Sequence, residues 1–243
     1  MGRALIGGLL RSGTRAEQLS VAESQPAARE ALARDFGISA AGDNAAAVLQ
    51  PLGAALAAGR SLLISVAAGV RCAALESWCG AGVPVMRAMP NRPARVGAAA
   101  TGLFAAPAVS PEQRVAAERV LQAVGEVFWV PTEELLDVVT ALSGSGPAYF
   151  FLLAELMAEA GAELGLERAV AQRLAAATLY GAGLLARSGD VDLARLREEV
   201  TSAGGTTEAA LRAFEAANLR ATVRAALVAA TQRGRELARQ TLP

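Results

Sequence analysis

The chain has 243 residues with 23 basic and 23 acidic side chains, so its length allows one or two domains and its balanced charge argues against a nucleic acid as partner. Hydrophobic residues make up 53% and charged residues 19%, which indicates a folded protein with a sizeable core rather than a disordered chain. Every basic residue is an arginine and there is no histidine, so the sequence excludes histidine general bases, Ser-His triads, Schiff-base lysines and P-loop lysines.

The first half of the chain alternates short apolar runs with helical patterns, which predicts an α/β domain with a parallel sheet over residues 1–130. Ser110 and Pro111 have the residue types of a helix cap and a first helical position. Helices are predicted at 2–11, 27–36, 44–57, 72–78 and 111–123, and strands at 18–22, 61–66, 83–86 and 126–130.

The second half has helical periodicity almost throughout, which predicts an all-α domain over residues 131–243. A first helix opens at 132 and ends at a glycine and serine break at 144–146, and further helices are predicted at 147–162, 168–188, 192–201, 206–216 and 219–241. The helix at 147–162 is apolar nearly all round, so we expect burial on several sides and hypothesise a homodimer.

The two cysteines and the longest apolar stretch bear on compartment. Cys72 and Cys79 lie in one predicted helix, and no further cysteine or histidine completes a metal site or a disulfide framework, so we expect two buried thiols. The stretch at 49–70 is interrupted by Pro51 and Arg60, and we expect no membrane segment. No clean cleavage site follows the first residues, and a cytoplasmic location is expected.

Two loops in the α/β half are candidate ligand sites, because open α/β sheets bind ligands beyond the carboxyl ends of their strands. Small residues at 65–69 follow a buried strand and would let a flat cofactor approach the backbone, although a tight strand-to-helix turn explains them equally well. Asn91 lies between two prolines, which suits an amide held against a planar ligand; a rigid surface turn is the alternative.

Two loops in the helical half are also candidates. Residues 142–147 are glycine- and serine-rich and indicate either close packing or a plain helix-to-helix turn. Residues 201–207 pair two glycines with hydroxyls before a helix whose first free N–H groups would receive a carboxylate. Capping of neighbouring helices by Ser202 or Thr206 is the competing explanation.

Taken together, four strings resemble the pyrroline-5-carboxylate reductase family, in order and over nearly the whole chain. They are Arg-Ala-Met-Pro-Asn at 87–91, Ala-Thr-Gly-Leu at 100–103, Leu-Ser-Gly-Ser-Gly-Pro-Ala-Tyr at 142–149 and Thr-Ser-Ala-Gly-Gly-Thr-Thr at 201–207. The resemblance implies reduction of the cyclic imine 1-pyrroline-5-carboxylate to L-proline, the last step of proline biosynthesis, with NADPH or NADH. It also implies a Rossmann-like N-terminal domain, a helical dimerisation domain, and dimers or larger rings of dimers.

The resemblance also implies roles for particular residues. The substrate-binding residues are Ser202, Gly204, Gly205, Thr206 and Thr207, with Thr207 as the catalytic hydroxyl beside the imine nitrogen. The cofactor-binding residues are Asn44, Ala67, Ala68, Asn91, Glu133 and Glu199, and no metal is implied. For the two glutamates, a charge at a helix start or on the surface is the alternative. Hydride transfer to a protonated imine requires mainly orientation and a held carboxylate, so the lack of histidine and lysine is no obstacle.

The chain departs from the family pattern at two strands. A strand and glycine-rich turn would precede Met1, and a second strand with a Lys-Pro loop would follow Gln50. Since that turn cradles the cofactor pyrophosphate, we expect a truncated dinucleotide domain whose parallel sheet is missing strands. The alternative function is a catalytically inactive truncated homologue that acts as a helical dimerisation or ligand-binding protein. Smaller departures are Arg92 in place of threonine and Ala203 in place of proline.

Overall fold

The computed structural model describes residues 2–22, 25–41, 56, 61–80, 82–188 and 192–240. The chain divides into two compact units, one formed by Met1–Ser145 with Ala229–Pro243 and the other by Gly146–Val228. The division therefore falls after Ser145, whereas the sequence pattern placed a boundary near residue 130. The segment after residue 130 stays with the first unit because it packs on the sheet there.

Strands and helices alternate through the first unit, as the sequence pattern predicts. The strands are β1 (Ser20–Ala22), β2 (Ser39–Ala41), β3 (Leu63–Ser65), β4 (Val85–Met89), β5 (Ala99–Ala105) and β6 (Gly125–Trp129). The helices are α1 (Gly2–Arg11), α2 (Pro26–Phe36), α3 (Cys72–Cys79), α4 (Pro111–Gln122) and α5 (Leu135–Val139), with 3-10 turns at Ala16–Gln18 and Arg92–Val96. The helix predicted over residues 44–57 lies outside the described residues except for Leu56.

The start of α4 confirms the predicted cap. The Ser110 hydroxyl accepts a hydrogen bond from the Gln113 backbone N–H at 3.3 Å, and the Gln113 side chain accepts one from the Ser110 N–H at 3.0 Å. Pro111 occupies the first turn, where its missing N–H has no intrahelical partner to lose. This reciprocal capping box fixes where the chain leaves β5 and enters α4.

The strands form two separate sheets. A parallel pair joins β1 to β2, and a four-stranded sheet has the order β3-β4-β5-β6. Among the described strands, no hydrogen-bonded ladder joins the two sheets, which agrees with the expectation of a sheet that is missing strands. The core of the larger sheet centres on Met86, Leu103 and Leu121, all at most 1% exposed.

Contrary to the prediction from the sequence pattern, the larger sheet is not entirely parallel, because one of its three strand pairs is antiparallel. The β4–β5 pair is antiparallel, although β3–β4 and β5–β6 are parallel. Only residues 90–98 connect β4 to β5, which is too short for the helical crossover that parallel neighbours need, so the chain turns back. The sequence analysis also missed β2 and β5. Strand β2 consists of serine and alanine, and four of the seven residues of β5 are alanine or glycine, so both have few of the β-branched and aromatic residues typical of strands.

The second unit is helical. Its helices are α6 (Gly146–Glu163), α7 (Arg168–Arg187), α8 (Leu193–Glu199), α9 (Thr206–Ala216) and the first part of α10 (Leu219–Gln240), whose last turns belong to the first unit. Helices α6 and α7 pack through small side chains, with Ala158, Ala171 and Ala175 buried between them. Close packing of alanines brings the two helices together but buries little large apolar surface.

Helix α6 leaves its large side chains exposed. Seven of them are 38–60% exposed: Tyr149, Phe150, Phe151, Leu152, Leu153, Leu156 and Met157. This many exposed large apolar side chains on one helix indicates an interaction surface. By length and composition alone, the stretch Leu135–Glu163 is also apolar enough to cross a membrane, with 22% of its most apolar window buried, but interface helices of water-soluble proteins meet the same criterion.

Candidate active site

The loop after β3 presents a small-residue surface at the carboxyl end of the sheet. Ala67 and Ala68 are exposed, and the Ser65 hydroxyl accepts a hydrogen bond from the Ala67 N–H at 3.3 Å. Gly69 then turns the chain at φ +77°, and a Cβ there would lie 3.3 Å from the Ala238 backbone nitrogen on α10. A side chain at this position is therefore both conformationally strained and crowded. Both alanines are thus exposed, and their predicted contact with a flat cofactor stays a prediction.

Glu133 holds this loop and β4 together. One of its carboxylate oxygens accepts hydrogen bonds from the Arg87 guanidinium at 2.8 Å and from the Cys72 backbone N–H at 2.7 Å. Cys72 is the first residue of α3, so the carboxylate also lies at the positive end of that helix. Arg87 is 4% exposed and the Glu133 side chain 16% exposed. Glu133 thus acts as an internal anchor, and its predicted contact with a cofactor stays a prediction.

A second ion pair lies beside the first. Asp137, 3% exposed, accepts a hydrogen bond at 2.6 Å from Arg71, the residue that precedes α3. Sequence analysis missed Arg71, Arg87 and Asp137. One signal was available: Glu133 and Asp137 are four residues apart in a segment predicted as helix from residue 132, a spacing that favours carboxylates on the same side, although Glu133 lies in the turn before α5. The arginines lie far away in sequence, so their pairing with these carboxylates could not be read from spacing.

The Asn91 side chain is buried at 8% exposure and joins two segments. Its Nδ2 donates to the Ser143 carbonyl at 3.0 Å, and its Oδ1 accepts from the Ala100 N–H at 3.0 Å. Ser143 lies in a π-helical turn, Thr140–Gly144, that follows α5 and ends at the predicted break, where Ser145 separates it from α6. In an α-helical ladder the Ser143 carbonyl would accept from residue 147, but Pro147 has no N–H. The proline therefore leaves this carbonyl to Asn91.

The two cysteines are buried on α3, as predicted, and both are free thiols. Burial raises the pKa of the Cys72 thiol to about 12 from an ordinary 9.0, and the negative charge of Glu133 adds to the effect. Burial also raises the pKa of Cys79. Because the thiolate is the nucleophile, neither cysteine has the environment of a reactive residue.

We expect a thiol reagent such as DTNB to label neither cysteine of the folded protein at pH 8 and both after unfolding in urea. A Cys79→Ala variant isolates the signal of Cys72. Since the pKa of Cys72 is higher in the folded state, the thiol contributes stability that is complete below pH 9 and is lost as the pH rises towards 12. Labelling of the native Cys79→Ala chain at the rate of a free thiol would contradict this account.

The loop before α9 forms a compact turn in the second unit. Gly204 has φ +72°, a conformation that favours glycine, and the Gly205 N–H donates to the Ser202 carbonyl at 3.0 Å. The Gly204 N–H donates to the Glu208 carboxylate at 2.5 Å. Both glycine amides thus have partners within the loop. The two glycines shape the turn, and the free donors are found further along, at the start of α9.

The start of α9 has the features of an anion site. Gly205 is the N-cap residue and provides no side-chain cap, and Thr206 and Thr207 open the helix. The first N–H groups of an uncapped helix and its dipole favour a negative group. Thr207 is half-buried, whereas Ser202 and Thr206 are exposed. Together these residues can bind a small carboxylate without a lysine or histidine.

Two further predicted cofactor residues fall elsewhere. Glu199 is 54% exposed near the end of α8 and forms a surface ion pair with Arg195 at 3.1 Å, one helical turn away. That geometry agrees with the alternative of a surface charge. Asn44 lies outside the described residues. Ala67, Ala68, Asn91 and Glu133 therefore all lie in the first unit, and Ser202 to Thr207 lie in one loop of the second.

A family model described as pyrroline-5-carboxylate reductase dimerisation matches residues 133–237. The pyrroline-5-carboxylate reductase of Pseudomonas aeruginosa is 43% identical over 258 aligned residues, which cover 99% of this chain and 94% of that protein. Because the alignment is longer than the 243-residue chain, the relative contains internal residues without a counterpart here. This agrees with the internal gap expected from the sequence.

Solved structures extend the likeness. A pyrroline-5-carboxylate reductase from Coxiella burnetii has a TM-score of 0.91 and 36% identity, covering 98% of this chain and 94% of that one. The Plasmodium falciparum pyrroline carboxylate reductase, with NADP bound, shares the fold at a TM-score of 0.81 and 24% identity, with 98% and 94% covered. Because the chain is 43% identical to the Pseudomonas aeruginosa reductase over nearly its full length and carries the family's motifs in the same order, it belongs to the pyrroline-5-carboxylate reductase family.

Proposed function

We propose that this chain reduces 1-pyrroline-5-carboxylate to L-proline with NADPH or NADH, the last step of proline biosynthesis. The observation that carries the proposal is 43% identity to the Pseudomonas aeruginosa reductase over 94% of that protein. The loop at 201–207 supports it, because an uncapped helix start with two threonines suits the carboxylate of a small cyclic imine.

Substrate binding falls to the start of α9. The backbone N–H groups of the first turn and the hydroxyls of Ser202 and Thr206 hold the substrate carboxylate, while Gly204 and Gly205 provide the turn. The Thr207 hydroxyl lies beside the imine nitrogen and exchanges a hydrogen bond with it. A protonated imine already carries the proton that the amine product keeps, so the protein has mainly to orient it.

The described residues fit the nicotinamide half of the cofactor. Ala67 and Ala68 are small and exposed at the carboxyl end of β3, where a doubly wound sheet binds its ligand. Bound NAD(P)H supplies the hydride that reduces the imine carbon. Glu133 and Asn91 act behind this surface, the first by fixing the start of α3 and the second by fixing the loop after β4.

The protein forms dimers through its helical part. Further, we propose that the exposed aromatic and leucine side chains of α6 are covered by a second copy of this chain rather than by a bilayer or a nucleic acid. A dimer or a larger ring of dimers satisfies this requirement, and a cytoplasmic location suits a biosynthetic enzyme of this kind.

Titration of NADPH and NADH into the purified chain, followed by calorimetry, tests the proposal. Addition of 1-pyrroline-5-carboxylate is then expected to lower the nicotinamide absorbance, with L-proline as product. Nucleotide binding is the more stringent test, because the sheet that should bind the dinucleotide is divided into two separate sheets. A folded dimer that shows neither saturable nucleotide binding nor turnover would overturn the proposal and favour the inactive homologue.

A further inference from the structure

We propose that Glu208 competes with the substrate carboxylate for the loop before α9 and thereby sets the affinity for substrate; this inference rests on the proposed function. Glu208 is the third residue of α9, and its carboxylate accepts the Gly204 N–H at 2.5 Å. The chain thus places its own carboxylate in the loop that is to receive a carboxylate from outside.

The hydrogen bonds of the loop place the Glu208 carboxylate next to the donors that we assign to the substrate. The Gly205 N–H is engaged by the Ser202 carbonyl at 3.0 Å, so Glu208 holds the other glycine amide. An arriving carboxylate meets the first N–H groups of α9 and, next to them, a like charge. Two carboxylates around one small donor cluster repel each other, and the repulsion is strongest where they approach within a few ångströms.

Glu208 has a second partner that lets it withdraw. The Arg212 guanidinium lies one helical turn further along α9, 4.0 Å from the Glu208 carboxylate and 71% exposed. A Glu at position i and an Arg at i+4 form a favourable surface pair. Rotation of the Glu208 side chain towards Arg212 would release the Gly204 N–H and move the negative charge away from the substrate. Glu208 is 38% exposed, so solvent leaves room for this movement.

We expect an effect on KM and not on kcat, because Glu208 acts on binding of the carboxylate end and not on the imine. Glu208→Ala removes both the charge and the bond to Gly204, and we expect KM for 1-pyrroline-5-carboxylate to fall about fivefold. Glu208→Gln keeps an acceptor for Gly204 but removes the charge, and we expect a fall of about twofold. The control is Glu215→Ala, which removes an equal charge from the last turn of the same helix and should leave KM unchanged.

The opposite order of KM values would overturn the inference. If Glu208 only braces the loop, Glu208→Ala raises KM while Glu208→Gln matches the wild type. Calorimetric binding of L-proline to the same variants separates this inference from the proposed function. Tighter proline binding by Glu208→Ala in a chain without turnover supports the inference and contradicts the reductase activity. A wild-type chain that neither binds proline nor turns over substrate overturns both.

Discussion

Replacing Thr207 by valine is expected to lower kcat about 100-fold, the usual loss when one positioned hydroxyl is removed from a reacting centre. Valine keeps the size and β-branching of threonine, so the half-buried position in the first turn of α9 stays filled. The substrate carboxylate still meets the helix N–H groups, and KM should change little. Steady-state kinetics with 1-pyrroline-5-carboxylate, together with circular dichroism to confirm folding, provides the measurement.

Two further valine substitutions serve as a comparison and a control for Thr207→Val. Thr206→Val removes a hydroxyl that we assign to the carboxylate, so KM should rise while kcat stays within about threefold. Thr222→Val removes a hydroxyl that donates to the Asn218 carbonyl in the first turn of α10, outside the loop, and should leave both constants unchanged. If Thr207→Val retains wild-type kcat, another group serves the imine nitrogen.

Replacing Glu133 by alanine is expected to lower the free energy of unfolding by about 3 kcal/mol or more, the typical cost of removing one partner of a buried ion pair. The substitution leaves the Arg87 guanidinium, 4% exposed, without its acceptor and also removes the acceptor of the Cys72 N–H. The Arg87 Nε already has no hydrogen-bond partner among the described residues, so the guanidinium has little else to bond to. Urea denaturation at pH 7 measures the loss.

Glu134→Ala is the matched control, because it removes the neighbouring carboxylate at an exposed position and should cost about 1 kcal/mol at most. Glu133→Gln should fall between the two, since an amide oxygen can still accept from Cys72 but carries no charge. Equal stabilities for Glu133→Ala and Glu134→Ala would show that the buried pair contributes nothing.

The parts of the fold that could be predicted from the sequence are those that depend on residue types and periodicity within a short segment. The cap at Ser110 and the helical second half follow from residue types and periodicity, and both are present. Strand β5 was missed because four of its seven residues are alanine or glycine, and its identity as a strand depends on its neighbours. At Gly102, a Cβ would lie 2.6 Å from the Val139 side chain, so the glycine is selected by close packing with α5 and not by strand preference.

The loops of the candidate site could be predicted from the sequence, but the side-chain contacts that hold those loops in place could not. Small residues after β3 and the turn before α9 could be identified because their composition is unusual within a short segment. The Arg87–Glu133 pair joins residues 46 apart in sequence, and the Gly204–Glu208 bond depends on a side-chain rotamer. Asn91 illustrates the difference. Its place in the loop was recognised from sequence, but its hydrogen bond to the Ser143 carbonyl forms because Pro147 has no backbone N–H to donate to that carbonyl.

The separation of the two sheets has a consequence for how the first unit opens. Proteins open locally in contiguous groups of residues, and a group held by few hydrogen bonds opens at a lower free energy than the core of the molecule. The pair β1–β2 stands alone with three residue pairs in register, whereas the three ladders of the larger sheet have three, four and five pairs and support one another. We therefore expect the backbone amides of β1 and β2 to exchange with solvent through a small local opening. The amides of the larger sheet should exchange only through a more global opening.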